Sequence, residues 1–381
     1  MDFTFSEEHQ MLRELAKKFA DKEVRPLAAA IDQQADVPRS LIEKAAELGF
    51  LGVPFPEQYG GGDMGEIGYC IILEEIAKAC LSTAVVIGGH VSIGAMAVYL
   101  AGSEAQKQRF LPELCCGDKI AAFALTEPQA GSDAAAIASF AEKRGDKYIL
   151  NGQKTFITNG GIADIYSVFA KTDKTAGIKG ISAFIVEKER KGFRAGKPEA
   201  KMGIKGSHTA DLFFEEMEIP LENRLGEEGE GFKIAMQTLD AGRLSLGAQC
   251  LGVAKEALNL SVKHANTRIQ FGKPIGKLQA VQWMIAEMAT DIFAMESMLY
   301  RSAWMSDQGL PVSRQSAQVK LFCSEALARC VDKAVQIHGG MGYMSEYPVE
   351  RLYRDARITR IFEGTNEIQK LVIARDVLGS S

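Results

Sequence analysis

The hydrophobic period changes twice along these 381 residues, and that change limits the fold more than any other feature. From about Ser6 to Gly117, apolar residues such as Met11, Leu12, Leu15, Phe19 and Val24 recur at helical spacing. Further helices are predicted over residues 40–48, 65–79, 83–100 and 104–114, with Gly and Pro breaking the register between them. From about Ile120 to Leu225, short β-branched or alternating runs take over at 121–125, 147–149, 155–158, 165–170, 181–186 and 210–214. Asn151-Gly152 reads there as a hairpin turn followed by a strand. From Gly231 the helical period returns in long stretches, near 232–268, 279–308, 312–338 and 349–378. Residues 244–257 and 281–293 are apolar around most of the helix, which requires burial on more than one side, within a bundle or against another subunit. The expected class is therefore α+β, mainly α. An N-terminal helical domain (1–119) precedes a middle antiparallel β domain (120–228) and a C-terminal four-helix bundle (229–381).

The composition narrows the function. A net charge of −5 with no basic block argues against nucleic acid and against an anionic membrane surface. The N-terminus lacks a signal peptide's basic and apolar regions, and no uncharged apolar run of bilayer-spanning length is expected. The seven cysteines lack metal-ligand spacing and read as reduced core residues of a cytoplasmic protein, with no metal. Adjacent Cys115 and Cys116 are poorly placed for a disulfide.

Six segments carry candidate chemistry. Near the C-terminus, Glu363 lies between Ile361-Phe362 and Gly364-Thr365. Apolar neighbours raise a carboxyl pKa and make a stronger base, and Gly364 lets the backbone bend close to a ligand. Thr365 and Glu367 add polar groups one turn on. The alternative is a solvated acid on an amphipathic helix. The run 125–133 (LTEPQAGSD) is a loop of small and hydroxyl residues suited to close approach by a flat polar ligand, or a plain surface loop. On a regular strand Phe156 and Thr158 share a side, one packing on a ring and the other hydrogen-bonding it. Asp240 and Arg243 share a helix face, at least as an ion pair. Arg268, in the run RIQFGK, has the fixed charge and forked donors that suit a diphosphate. Gln336 precedes the close-approach pair Gly339-Gly340; neither glycine-rich loop has the nicotinamide-type G-x-G-x-x-G form.

Taken in order, from about residue 5 to residue 378, these segments resemble the acyl-CoA dehydrogenases, closest to the bacterial short-chain, butyryl-CoA type. The resemblance implies FAD as cofactor and Glu363 as the base that takes the α-proton of an acyl-CoA. The β-hydride goes to flavin N5 and the product is a trans-2-enoyl-CoA. It implies that Thr126 meets the flavin's pyrimidine edge, that Phe156 and Thr158 contact its ring system, and that Thr365 and Glu367 are cofactor ligands. Ser132, Asp240, Arg243 and Gly364 are implied on the acyl-CoA side. Arg268, Phe271, Gln336, Gly339 and Gly340 are implied to serve a neighbouring subunit's FAD, hence a homo-oligomer, most simply a tetramer. An electron-transfer flavoprotein is the implied acceptor. Some family members place the base immediately before the counterpart of Arg243, but this chain has Gly242 there. Phe362 replaces a commoner Tyr.

The helix implied to line the acyl pocket carries Ile87, His90, Val91 and Ile93, bulk that suits a short, branched or cyclic acyl group. His90 either reads a substrate group there or is satisfied by a neighbouring helix. A lyase on the same scaffold would want a cation on this helix, and residues 85–96 contain neither Arg nor Lys. A non-catalytic relative would have no reason to keep Glu363, Thr126, Thr158 and Arg268 together.

Overall fold

Each change of period marks a change of layer in the computed structural model, which describes residues 4–379. Ser6 caps α1 (Glu7–Phe19) by accepting a hydrogen bond from the His9 amide, as its position before two acids predicts. Then come α2 (Ala28–Gln34), α3 (Arg39–Glu47), α4 (Gly65–Ala79), α5 (Leu81–Gly88), α6 (Met96–Ala101) and α7 (Glu104–Cys115). A π-helical turn, Gly89–Ala95, joins α5 to α6. Together they form a 21-residue run, Leu81–Ala101, of mean hydropathy 1.8. This corrects the expectation that no apolar stretch of spanning length exists. The protein buries 78% of that window, so its apolarity serves the core.

The second layer is one sheet of β1 (Ala121–Ala124), β2 (Phe140–Arg144), β3 (Lys147–Thr158), β4 (Ile165–Lys171), β5 (Ile181–Glu187), β6 (Phe193–Ala195), β7 (Thr209–Pro220) and β8 (Arg224–Leu225). The order is β6-β7-β3-β2-β4-β5-β8, with β1 beside β4. Pairing is mostly antiparallel, but β1 and β2 both meet β4 in parallel, so the sheet is mixed. The β2–β3 turn is Gly145-Asp146, since Arg144 faces Lys147. Asn151-Gly152 is not a turn, which corrects the sequence reading; it lies within β3. The reason is steric: a Cβ at residue 152 would stand 2.2 Å from Ser139 Oγ, so the glycine serves a close approach. A second register shift against β7, between Lys154 and Ile157, puts Phe156 at φ 57° and breaks the alternation assumed for Phe156 and Thr158.

The third layer contains α8 (Gly231–Thr267), α9 (Gln279–Asp307) and α10 (Ser313–His338), with a small hairpin of β9 (Ile269–Gln270) and β10 (Lys273–Pro274) after α8. Residues 242–254 of α8 are buried without interruption, packed against α4, α9 and α10, as their all-round apolar character requires. Gly252 permits the α4 crossing, for a Cβ there would meet Glu74 O at 2.2 Å. On α9, Trp283 and Phe293 remain 59% and 74% exposed in the single chain. The last predicted helix is broken. α11 (Pro348–Ala356) runs into a 3₁₀ turn, Arg357–Arg360, and α12 (Asn366–Leu378) restarts under a Thr365 cap. Glu363 sits in that gap and not on a helix face. Six of the seven cysteines are buried, Cys116 is exposed, and all are free thiols.

Candidate active site

The π-turn helix, the loop after β1, the end of β3, α8 and the α11–α12 break enclose a cavity of about 1020 Å³. Glu363 faces it with φ 57°, a left-handed conformation that is strained for a residue with a side chain. Although the residue as a whole is half-buried, its Oε2 is enclosed and has no hydrogen-bond partner. Burial raises the carboxyl pKa from its usual 4.5 to about 7, while the charges of Arg243 and Lys320 pull it down. Across from it, a Cβ on Gly242 would stand 2.8 Å from Glu363 Oε2 and 2.8 Å from Ile93 Cγ2. Positions 242 and 363 therefore address one point in space.

Gln369, fully buried on α12, holds the strained turn. Its Nε2 donates to Glu363 O at 3.2 Å and to Gly364 O at 2.9 Å. Gly364 has φ 90°, and a Cβ there would lie 2.6 Å from that same Nε2. Gly364→Ala should therefore push the clamp aside and misplace the carboxylate. A misplacement of ~1 Å costs on the order of 100-fold in rate. Stopped-flow reduction by acyl-CoA checks this, and a variant within about twofold of wild type would remove Gly364 from the machinery.

Arg243 lines the cavity, 4% exposed, with Nη1 donating to Asp240 Oδ1 at 2.7 Å. Asp240 also accepts from the Ser313 and Ser316 hydroxyls and turns away from the cavity wall. Thr126 and Ser132 line the cavity from the loop after β1. A buried ion pair fastens that loop to β3, with Lys154 Nζ donating to Glu127 Oε1 at 2.6 Å and to Leu125 O at 3.0 Å. The Ala138 and Ser139 amides also donate to Glu127. The clamp thus joins the segment bearing Thr126 and Ser132 to the one bearing Phe156 and Thr158.

The structure brings Thr126, Ser132, Phe156, Thr158, Arg243, Glu363, Gly364 and Thr365 to one cavity. Glu367 is exposed outside its lining. His90 is a correction. It is 1% exposed and turned from the cavity, its Nδ1 accepting from the Ala121 amide at 2.8 Å and its Nε2 donating to Leu114 O at 3.0 Å. Burial pushes its pKa down to about 4, so it stays neutral as a brace between the π-turn, α7 and β1. Ile87 and Val91 also point into the core; Val85, Gly88, Gly89 and Ile93 face the cavity. The extra residue in the π-turn re-aims the side chains after Gly88.

Arg268, Phe271, Gln336, Gly339 and Gly340 lie outside this cavity, on exposed surface. Stacking of His264 on His338, 4.3 Å between ring centres, brings the ends of α8 and α10 together, so these residues share one end of the bundle. Sequence reasoning missed Gln249, Gln369, Lys320 and the Glu127–Lys154 pair. Lys320 had a signal, a charge on the same helical face as Ser316, Cys323 and Leu327, all of which are buried.

The residues present fit a flavin. Phe156 lines the cavity yet is 67% exposed, a flat apolar surface awaiting cover, with the Thr126 and Thr158 hydroxyls also on the cavity wall. The acyl-CoA dehydrogenase N-terminal, middle and C-terminal domain families match residues 6–118, 122–217 and 229–378. The chain is 47% identical to an acryloyl-CoA reductase (NADH) of Anaerotignum propionicum, over 99% of this chain and 96% of that one. It is 45% identical to a short-chain specific acyl-CoA dehydrogenase of Clostridium acetobutylicum, over 98% and 99%. The structure of butyryl-CoA dehydrogenase from Megasphaera elsdenii is 44% identical, with a TM-score of 0.98 over 99% of this chain and 100% of that one. The chain belongs to the acyl-CoA dehydrogenase family of FAD-dependent oxidoreductases.

Proposed function

We propose that the protein dehydrogenates a short acyl-CoA to its trans-2-enoyl-CoA, with Glu363 removing the α-proton. The observation that carries this is the Glu363 carboxyl, enclosed at Oε2 and raised to about 7. A base of that strength is far better matched to a weakly acidic thioester α-proton than one near 4. FAD, when bound, supplies the acceptor for the β-hydride. Phe156, Thr158, Thr126 and Thr365 hold it from the cavity wall of the same chain, Glu367 meets it from the exposed start of α12, and Arg268, Phe271, Gln336, Gly339 and Gly340 hold it from a neighbour in a homotetramer. The backbone N–H of Glu363 is a donor to the thioester carbonyl, where enolate charge develops. Ser132, Arg243 and Gly364 orient the CoA thioester, Asp240 acting through its ion pair with Arg243, and an electron-transfer flavoprotein takes the electrons. We also divide the chain into units at residues 119/120 and 228/229.

Of the bulk first expected to shorten the acyl group, Ile93 alone faces the cavity, and Gln249 adds to it. Gln249 fills the space beside Gly88, its Nε2 2.7 Å from where a Cβ on residue 88 would be, and closes the cavity between α5 and α8. Activity on saturated acyl-CoAs should peak at roughly four to six carbons, because each extra methylene meets filled space. Gln249→Ala should move the peak to longer chains. Anaerobic mixing with an acyl-CoA panel, read by flavin bleaching, tests both; a wild-type optimum at about twelve carbons or beyond would sink the idea. A second reading, the reverse reduction of a short enoyl-CoA, is favoured by the likeness to an acryloyl-CoA reductase. A carboxyl poised near 7 gives a proton as readily as it takes one.

A further inference from the structure

Lys320 on α10 has no exposed surface, and the reaction above does not use it. Its ammonium donates to a neutral acceptor, Asn366 Oδ1, at 2.8 Å, and no carboxylate forms an ion pair with it among the described residues. A buried ammonium without a partner is costly unless a nearby anion compensates. The titratable groups whose fields reach it are Cys250 and Arg243 on α8, Glu363 in the break, and Glu367 on α12. Arg243 has the same sign, Glu367 is exposed, and burial pushes the Cys250 thiol up to about 12, which keeps it neutral. Glu363 remains as the buried countercharge.

The tether is specific as well. Asn366 Nδ2 donates to Ser324 Oγ at 3.0 Å and to Glu325 Oε1 at 2.7 Å, which turns its Oδ1 toward Lys320. Asn366 lies three residues after Glu363 and opens α12. We propose that Lys320 is a positioning residue: held by Asn366, its buried ammonium anchors the loop that carries Glu363 and favours the ionised form of that base from outside the cavity. This rests on the reading of Glu363 as the base.

The groups facing Glu363 are Arg243 and Cys250 from α8, Tyr69 from α4 and Lys320 from α10. Burial keeps Tyr69 and Cys250 neutral. Arg243, paired with Asp240 at 2.7 Å, exerts the larger pull on Glu363, and Lys320, which has no paired carboxylate among the described residues, adds the second. Burial lowers its own pKa to about 8, so it is charged while Glu363 titrates near 7.

Removing a cation disfavours the carboxylate and raises its pKa. In Lys320→Gln holoenzyme, whose amide can still donate to Asn366, the rise of flavin bleaching with pH should move up by about one unit. Lys320→Arg should leave that rise in place. A merely structural role would lower the plateau rate without moving the pH of the rise, and a rise that stays put in Lys320→Gln overturns the proposal. If Lys320→Gln does not hold FAD, Lys320→Met is read for the same shift, and a rise that stays put overturns the charge role; the anchoring is tested by Asn366→Ala. It keeps the charge and cuts the tether, so the plateau should fall severalfold with the rise unmoved, and an unchanged plateau overturns the anchoring. Glu363→Gln run in parallel separates the two readings. Wild-type bleaching there defeats the base itself, whereas an inert Glu363→Gln beside an unshifted Lys320→Gln defeats the role of Lys320 alone.

Discussion

Glu363→Gln retains FAD and binds acyl-CoA but bleaches its flavin on the order of 10³-fold more slowly than wild type, within the range expected for loss of a general base. The amide matches the carboxyl in shape and cannot take the proton. In wild type, kcat/KM for bleaching should rise with pH through about 7 and level off above, because the ionised form is the base. Stability runs the other way. The folded state binds this proton more tightly than the unfolded chain, so ionising Glu363 costs stability as pH rises from about 4.5 to 7, and the full cost persists above. Glu363→Gln should therefore melt no lower than wild type at about pH 8, which separates lost chemistry from lost folding. The contact at residue 242 supplies a rescue. A Cβ there meets Glu363 Oε2 at 2.8 Å, so the new acid needs the old side chain gone. Gly242→Glu combined with Glu363→Gly, which also relieves the positive φ at 363, should recover at least about tenfold over Glu363→Gly alone. Bleaching by Glu363→Gln near the wild-type rate would remove Glu363 as the base.

Periodicity located the long helices because each buries at least one face along its length: 232–268, 279–308 and 312–338 were expected where α8, α9 and α10 lie. It failed where tertiary contact decides the backbone. β2 reads Phe-Ala-Glu-Lys-Arg, without the alternation of a half-buried strand, and forms because β3 pairs with it. The helical period runs on past Arg360, and the signals of a break are Gly364 and the capping Thr365, read beforehand as a bend near a ligand and a cofactor contact. The π-turn at Gly89–Ala95 leaves no mark in composition, yet it turned His90 from a pocket candidate into a brace. The site divides in the same way. Residues in contiguous motifs, from Thr126 to Thr365, were legible because short segments deliver them together. Gln249, Gln369 and Lys320 act through contacts that exist only once α8, α10 and α12 have packed.

Arg268→Ala should weaken FAD binding by about 10- to 100-fold, the size of a lost charge-assisted contact to diphosphate. Arg268 is exposed at the end of α8, away from the cavity of its own chain. Beside it Phe271 is 87% exposed and held at φ 52°, a strained aromatic left largely uncovered by the described residues. The positions where Cβ atoms would sit on Gly339 and Gly340 have no atom within 4 Å. Surface of this kind, with Trp283 and Phe293 bare on α9, is what the second copy proposed above would complete. The geometry also sets a complementation test. In a mixed oligomer, an Arg268→Ala subunit keeps Glu363 and receives Arg268 from a Glu363→Gln neighbour, so one of the two sites is whole. At FAD concentrations where Arg268→Ala alone is mostly apo, co-expression should recover about a quarter of wild-type activity, since half of random pairs are mixed and each has one competent site. Full FAD retention in Arg268→Ala, or mixed oligomers no more active than the average of the two parents, would place Arg268 outside any neighbour's cofactor site.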